Sequence, residues 1–167
     1  MQNWTIQSRI VYRDEPQRED RELLAAVVRS SGFFSPEEVA LAVELFDERL
    51  EKGLACGYHF LLAHSCGELL GYTCFGPIPC TRSSYDLYWI AVGESFRGRG
   101  AGSRLLGETE LRIASLGGTR IYVETSARPQ YEPTRLFYQA QGYLRDAVLR
   151  DFYAPGEAKE IYVKSLG

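Results

Sequence analysis

Between Val92 and Leu105 the chain carries Arg97-Gly98-Arg99-Gly100-Ala101-Gly102, with a glycine at every second position and two arginines interleaved. Glycines let a backbone curl closely around a ligand, and its consecutive N–H groups can then point inward. A helix beginning where the glycines end adds partial positive charge at its N-terminus. The chemistry this suits is binding of a diphosphate, with Arg97 and Arg99 adding charge beside it. A tight turn packing a helix against a strand would use the same residues, so context has to decide. No Gly-Lys-Ser/Thr follows, which removes the Walker pattern. A dinucleotide fold sets its glycines after the first strand, and these come late in the chain.

Other reactive residue types are sparse. His59 and His64, the only histidines, are five apart around a predicted strand and turn, which puts them on opposite faces without a Cys or Asp cluster. No metal site is expected. The four cysteines, Cys56, Cys66, Cys74 and Cys80, form no CxxC pair and are too few for a disulfide scaffold. Cys80 sits between Pro79 and Thr81 with no histidine in a recognisable arrangement, so a loop cysteine is favoured over a nucleophile.

The elements that would position the glycine loop can be read from periodicity. Trp4 to Val11 alternates weakly and reads as a first strand; Arg13 to Arg21 is charged and reads as a loop or helix start. Leu23, Leu24, Val27 and Val28 recur at helical spacing until Ser30-Ser31-Gly32. Ser35-Pro36-Glu37-Glu38 opens a second helix, with a serine N-cap, proline at the first helical position and acids near the positive end. Its apolar stripe runs through Val39, Val43, Phe46, Leu50 and Leu54, and Gly53 or Gly57 can end it.

Tyr58 to Ala63 and Leu69 to Phe75 read as a β-hairpin with a longer turn over His64 to Glu68. Asp86 to Val92 is apolar on both alternating sets, as expected of a strand buried on both faces. Gly102, Leu105, Leu106, Thr109, Ile113 and Leu116 share one side of a third helix closed by Gly117-Gly118. Arg120 to Thr125 is a strand, Pro133 opens a helix running through Gln141, and Tyr143 to Arg150 and Lys159 to Lys164 are two last strands. The buried strand before the glycines and the amphipathic helix after them favour the ligand-binding reading. With no repeat, linker or low-complexity segment, residues 1–167 read as a single α+β domain with a mixed sheet.

Bulk properties narrow the partners. A 167-residue chain that is 45% hydrophobic can bury a sizeable core. Its 19 basic and 22 acidic residues give a net charge of −3, so no positive field draws nucleic acid or an anionic membrane. No stretch approaches the roughly 20 apolar residues that span a bilayer, and Met1 to Ile10 has no apolar signal core. A cytoplasmic protein with reduced thiols is expected.

With these elements in place the chain resembles the GNAT superfamily of N-acetyltransferases. Arg97, Gly100 and Gly102 match its Arg/Gln-x-x-Gly-x-Gly/Ala motif between strand and helix, and Leu136-Phe137-Tyr138-Gln139-Ala140-Gln141-Gly142-Tyr143 looks like its aromatic-Tyr-x-x-x-Gly-aromatic segment. The resemblance covers nearly the whole chain and implies a mixed sheet of about seven strands flanked by about four helices, in the order β-α-α-β-β-β-α-β-α-β-β. It implies acetyl-CoA as donor and no metal. Backbone groups of Ile90, Ala91 and Val92 would pair with the pantetheine arm, and amides of Arg97, Gly98, Arg99, Gly100, Ala101, Gly102 and Ser103 would hold the pyrophosphate. Arg135 matches a position often basic in the family, whereas Tyr131 stands where many members carry a cofactor-binding asparagine.

Acetyl transfer to an amine needs a neutral amine, stabilisation of a tetrahedral oxyanion and a proton for the departing thiolate. The match to the family tyrosine makes Tyr138 the candidate acid, although an aromatic beside Phe137 would also suit a core. A backbone N–H of the strand Asp86 to Val92 could face the thioester carbonyl. Glu124, expected to be partly buried at the end of its strand, is the first candidate base, and Asp86 is its competitor. Either could instead anchor a cationic substrate. Phe33 and Phe34, adjacent aromatics in the loop between the first two helices, are candidate acceptor contacts. The turn Asp151 to Glu157 could close the acceptor pocket, form a homodimer interface or be a packed hairpin tip. The expected reaction is direct transfer to a primary amine of a small molecule or peptide, with release of CoA. The competing reading is a non-catalytic acyl-CoA-binding regulatory module.

Overall fold

Local sequence signals set most of the element boundaries in the structure, a computed structural model that describes residues 9–167. The clearest is the start of the second helix, α2 (Pro36–Lys52), where the Ser35 side chain accepts the Glu38 N–H at 3.2 Å and Glu38 Oε2 accepts the Ser35 N–H at 2.8 Å. This reciprocal capping box satisfies two donors that a helix start leaves open. The helix stops at Gly53, whose φ of 61° suits glycine. The preceding helix, α1 (Asp20–Ser30), buries Leu24, Ala25, Val27 and Val28.

Seven strands form one sheet in the order β1-β2-β3-β4-β5-β7-β6. They are β1 (Val11–Arg13), β2 (His59–Ser65), β3 (Glu68–Pro77), β4 (Ser84–Val92), β5 (Arg120–Ser126), β6 (Leu144–Ala154) and β7 (Glu157–Ser165). The remaining helices are α3 (Ala101–Ser115) and α4 (Glu132–Ala140). The sheet is mixed: β4 runs parallel to β5, whereas β1–β2, β5–β7 and β6–β7 are antiparallel. The expected α+β order of strands and helices is the order found.

Contacts group the described residues into two units, one of residues 9–74 and 89–109, the other of residues 75–88 and 110–167. In the first, Leu24, Val28, Phe46, Phe60, Leu62, Tyr72 and Ala91 form one core. Phe46 meets Phe60 edge-on with centroids 5.3 Å apart. In the second, Tyr138, Tyr143 and Tyr162 are all buried.

Several expectations need correction. Most of the predicted strand Trp4 to Val11 falls on residues outside those described, and the strand observed begins at Val11. The β2–β3 connection is a two-residue turn, because Cys66 (φ 51°) and Gly67 (φ 82°) both take left-handed geometry. β4 is not buried on both faces: Tyr85, Leu87 and Ala91 are buried, but Tyr88 is 38% exposed and Asp86, Ile90 and Val92 are half-buried. Apolar composition alone overstated its burial, since tyrosine tolerates a wet edge. Leu116 lies past the end of α3 and is exposed. β6 continues through Asp151 to Ala154 by way of a bulge, with Asp151 at φ 52°, so half of the predicted turn belongs to a strand.

Gly71 on β3 leaves no room for a side chain against β4. A Cβ there would lie 2.5 Å from the Ala91 carbonyl oxygen and 3.2 Å from Val92 Cα. Backbone cannot yield as a side-chain tip can, so Gly71→Ala is expected to cost about 1–3 kcal/mol. Gly107 on α3 faces open space, and Gly107→Ala is expected to add up to about 1 kcal/mol. Urea midpoints of the two variants test both signs.

Candidate active site

The first unit holds the glycine-rich loop. β4 ends at Val92, the Gly93 N–H donates to the Leu70 carbonyl at 2.9 Å, and Glu94–Phe96 makes one 3₁₀ turn. Gly98 (φ 68°) and Gly100 (φ 78°) are then left-handed on either side of Arg99, and α3 begins at Ala101. Left-handed glycines on either side of one residue can turn successive N–H groups toward a common concavity, which suits an anion. A Cβ added to either glycine would meet no atom within 4 Å, so backbone conformation, not crowding, demands glycine.

Arg97 has a different job from the expected one. Its Nη1 donates to the Ser31 carbonyl at 3.1 Å, its Nε to the Val92 carbonyl at 3.3 Å, and its guanidinium lies 5.1 Å from the Phe33 ring centroid. The Glu94 N–H also donates to Ser30 Oγ at 3.3 Å. The side chain therefore ties the loop to the end of α1 and to β4, and its backbone N–H donates to the Glu94 carbonyl at 3.3 Å, so the amides open to an anion begin after it. Arg99, by contrast, is exposed. Phe33 is committed to Arg97, while Phe34 packs on Trp89 with centroids 4.7 Å apart. Trp89 Nε1 and Tyr72 Oη are buried without a hydrogen-bond partner among the described residues, and neither stands out in the sequence because aromatics on apolar strands read as core.

The second unit holds the candidate acid and bases. Tyr138 is buried in α4, 5.5 Å from the Tyr143 ring and 6.4 Å from the Tyr162 ring. Burial pushes its phenol well above the ordinary value, so it keeps its proton at working pH. The residues after it stop the helix: Tyr143 N–H returns to the Tyr138 carbonyl and Gly142 N–H to the Gln139 carbonyl, both at 3.0 Å, with Gly142 at φ 85°. This is a Schellman closure, and it explains the glycine in Tyr138-x-x-x-Gly142-Tyr143. Arg135 Nη1 donates to the carbonyls of Ser126 (2.8 Å) and Arg128 (2.9 Å), bracing the segment after β5.

Asp86 and Glu124 meet different fates. The Glu124 side chain is 53% exposed, not partly buried, and its Oε2 lies 2.5 Å from Lys159 Nζ. Glu124 does point opposite to the buried Val123 and Thr125, as alternation along the strand requires, but that face of β5 is open rather than covered. Asp86 is half-buried on that same face, through its pairing with Tyr122. Burial first, and then the Glu124 charge, push the Asp86 carboxyl up, while Lys159 partly opposes them. The structure thus gathers Asp86, Glu124 and Lys159 into one charged group. Lys159 was missed because only the pairing of Ser126 with Lys159 reveals it.

These features, a mixed seven-stranded sheet with a left-handed glycine loop between a strand and a helix, define an acetyltransferase fold. The model of the acetyltransferase (GNAT) family matches residues 21–143, and the chain belongs to that family. A GNAT-family protein from Desulfovibrio desulfuricans superposes with a TM-score of 0.93 at 42% identity, over 95% of this chain and all of that one. An aminoglycoside 6'-N-acetyltransferase solved with coenzyme A shares the fold (TM-score 0.72, 20% identity, 94% of this chain and 96% of that one). So does a ribosomal-protein-alanine N-acetyltransferase from Brucella melitensis (TM-score 0.74, 20% identity, 93% and 99%). Over 121 residues the chain is 32% identical to the uncharacterized protein ML0378 of Mycobacterium leprae, covering 71% of this chain but 31% of that protein. The chain thus spans about a third of the length of that curated relative. No helix among the described residues is long and apolar enough to cross a membrane.

The bracing role of Arg97 has a measurable consequence. Arg97→Ala is expected to lower stability by roughly 1–3 kcal/mol and to speed amide exchange across 93–100, because it removes charge-assisted bonds to two carbonyls. Arg99→Ala should stay within about 0.5 kcal/mol of the parent. Denaturant titration with hydrogen exchange distinguishes the two.

Proposed function

We propose that this chain transfers the acetyl group of acetyl-CoA directly to a primary amine of a small molecule or peptide. The observation that carries the reading is the left-handed pair Gly98 and Gly100 at the start of α3, an anion cradle where this family's motif lies. Amides from Gly98 to Ser103 would hold the pyrophosphate, since the Arg97 N–H is turned to the Glu94 carbonyl, and backbone groups of Ile90, Ala91 and Val92 would pair with the pantetheine arm. Arg135, tied to two carbonyls, supports its loop more than it offers charge to the coenzyme. When bound, acetyl-CoA supplies an activated acyl group and a thiolate leaving group.

The proton work falls to the second unit. Tyr138 holds its proton at working pH and is the proposed acid for the departing sulfur. Asp86 is the better candidate base, since burial and the Glu124 charge raise its proton affinity, whereas Glu124 is occupied by Lys159. Phe33 and Phe34 remain proposed acceptor contacts, with Phe34 beside the unpartnered Trp89 indole. The engagement of Glu124 by Lys159 is what a non-catalytic acyl-CoA-binding module would tolerate, and that is the second reading.

Thiol release from acetyl-CoA across a panel of primary amines separates the two readings. Acceptor-dependent release is expected; tight coenzyme binding with none would establish the binding module. Tyr138→Phe should lower kcat by about 100-fold or more with coenzyme affinity nearly unchanged, and unchanged turnover would remove Tyr138 from the mechanism.

The sign of the pH dependence follows from Asp86. As a base it works deprotonated, so kcat/KM should climb as pH rises through a value above the usual carboxylate range, and fall below it. Asp86→Asn should abolish that limb and lower the rate at its plateau. A limb that survives in Asp86→Asn would belong to the acceptor amine or to another group.

A further inference from the structure

Lys159 is one of the few charged residues that the fold buries, at 9% exposure. Its ammonium meets two groups: Glu124 Oε2 at 2.5 Å and the face of Phe152, whose ring centroid is 3.7 Å away. A carboxylate with an aromatic face is the combination that recognises an alkylammonium ion. The receiving groups are not buried with it: the Glu124 side chain is 53% exposed and Phe152 is 49% exposed. Lysine thus reaches from β7 into a site whose outer walls face water. A surface lysine ordinarily keeps its head hydrated, whereas the Lys159 ammonium is held between a carboxylate and a ring.

The local charge balance leaves room for another cation. Asp86 and Glu124 are within electrostatic range of each other and of Lys159, so two carboxylates face one ammonium. Lys159, Glu124 and Asp86 also share one face of the sheet, through the pairs Lys159 with Ser126, and Asp86 with Tyr122. The opposite face, with Tyr85, Ile121, Val123 and Tyr162, is buried. The half-open face is where a solute can arrive.

We propose that Glu124 and Phe152 form a subsite for the ammonium group of a cationic alkylamine acceptor, which Lys159 fills until the acceptor displaces it. Resting on the acetyl-transfer reading for the word acceptor, this names its chemical class. Exchange of one ammonium for another keeps the charge of the site constant, and the released lysine gains full hydration. Neutral or anionic acceptors cannot make that exchange, because they would leave Glu124 and Phe152 without a cation. Lys159 is therefore a specificity-determining residue.

Lys159→Met keeps the stem and removes the competing charge. Tetramethylammonium is the probe, because it fits a carboxylate–aromatic site and cannot be acetylated. At ionic strength held constant with sodium chloride, its Kd by ligand-observed NMR should fall at least about tenfold in Lys159→Met, and the gain should vanish in Lys159→Met/Phe152→Ala. For primary alkylamines, KM should fall in Lys159→Met by more than kcat changes. A Lys159→Met protein that melts cooperatively and binds the probe no more tightly overturns the proposal. If that variant does not fold, the wild-type chain supplies the test through the rate of reductive methylation of Lys159, followed by peptide mass spectrometry. That rate should rise with tetramethylammonium, and a rate indifferent to it overturns the proposal. A gain in probe affinity without acetyl transfer to any amine would keep the subsite and remove the transferase reading. Transfer without any gain would remove the subsite alone.

Discussion

Arg97 sets the constraint on which the donor side of this protein depends. A loop with left-handed glycines at 98 and 100 has little regular hydrogen bonding to define its path. One guanidinium supplies the definition by holding the carbonyls at Val92 and Ser31 while lying against Phe33. A strand end, a helix end and a loop are fastened by one planar group whose donors have fixed directions, which a lysine could not reproduce. The amides that follow are oriented before any ligand arrives, and preorganised amides bind an anion without paying to order themselves.

That constraint explains why the donor side was legible in the sequence. Left-handed turns need glycine, helix starts need caps and helix ends need Gly142-like closures, and each requirement is written within a few residues. Ser35-Pro36 before α2 and Gly142-Tyr143 after α4 were read correctly for that reason. The role of the Arg97 side chain was not, because its partner Ser31 lies far back in the chain and no local pattern links them. The sequence assigned that charge to a ligand; the fold assigns it to a carbonyl.

The acceptor side was read less well, and the reason is again the range of the contacts. Glu124 is set opposite Val123 by alternation along β5, as the sequence indicates, but how far that face is covered depends on distant chain segments, and there the side chain is 53% exposed. Its ion pair with Lys159 follows from the register of β5 against β7, and Phe152 comes from the bulged stretch of β6, which the sequence presented as a turn. A bulge inserts residues into one strand only, so no periodicity announces it. Three of the groups that define this face therefore depend on pairings that composition does not encode.

The two sides differ in kind as well as in legibility. The glycine loop is defined mainly by backbone geometry, which a short local motif can specify. The charged face works differently, through side chains: the Asp86 carboxyl is raised by burial and by Glu124, while Lys159 pulls it down. Changing Glu124 or Lys159 therefore retunes Asp86, so one substitution can alter the charge this face presents. Dependence of this sort makes a fold match informative about the donor and nearly silent about the amine, as neighbours named for aminoglycoside and for ribosomal-protein acetylation share this one architecture.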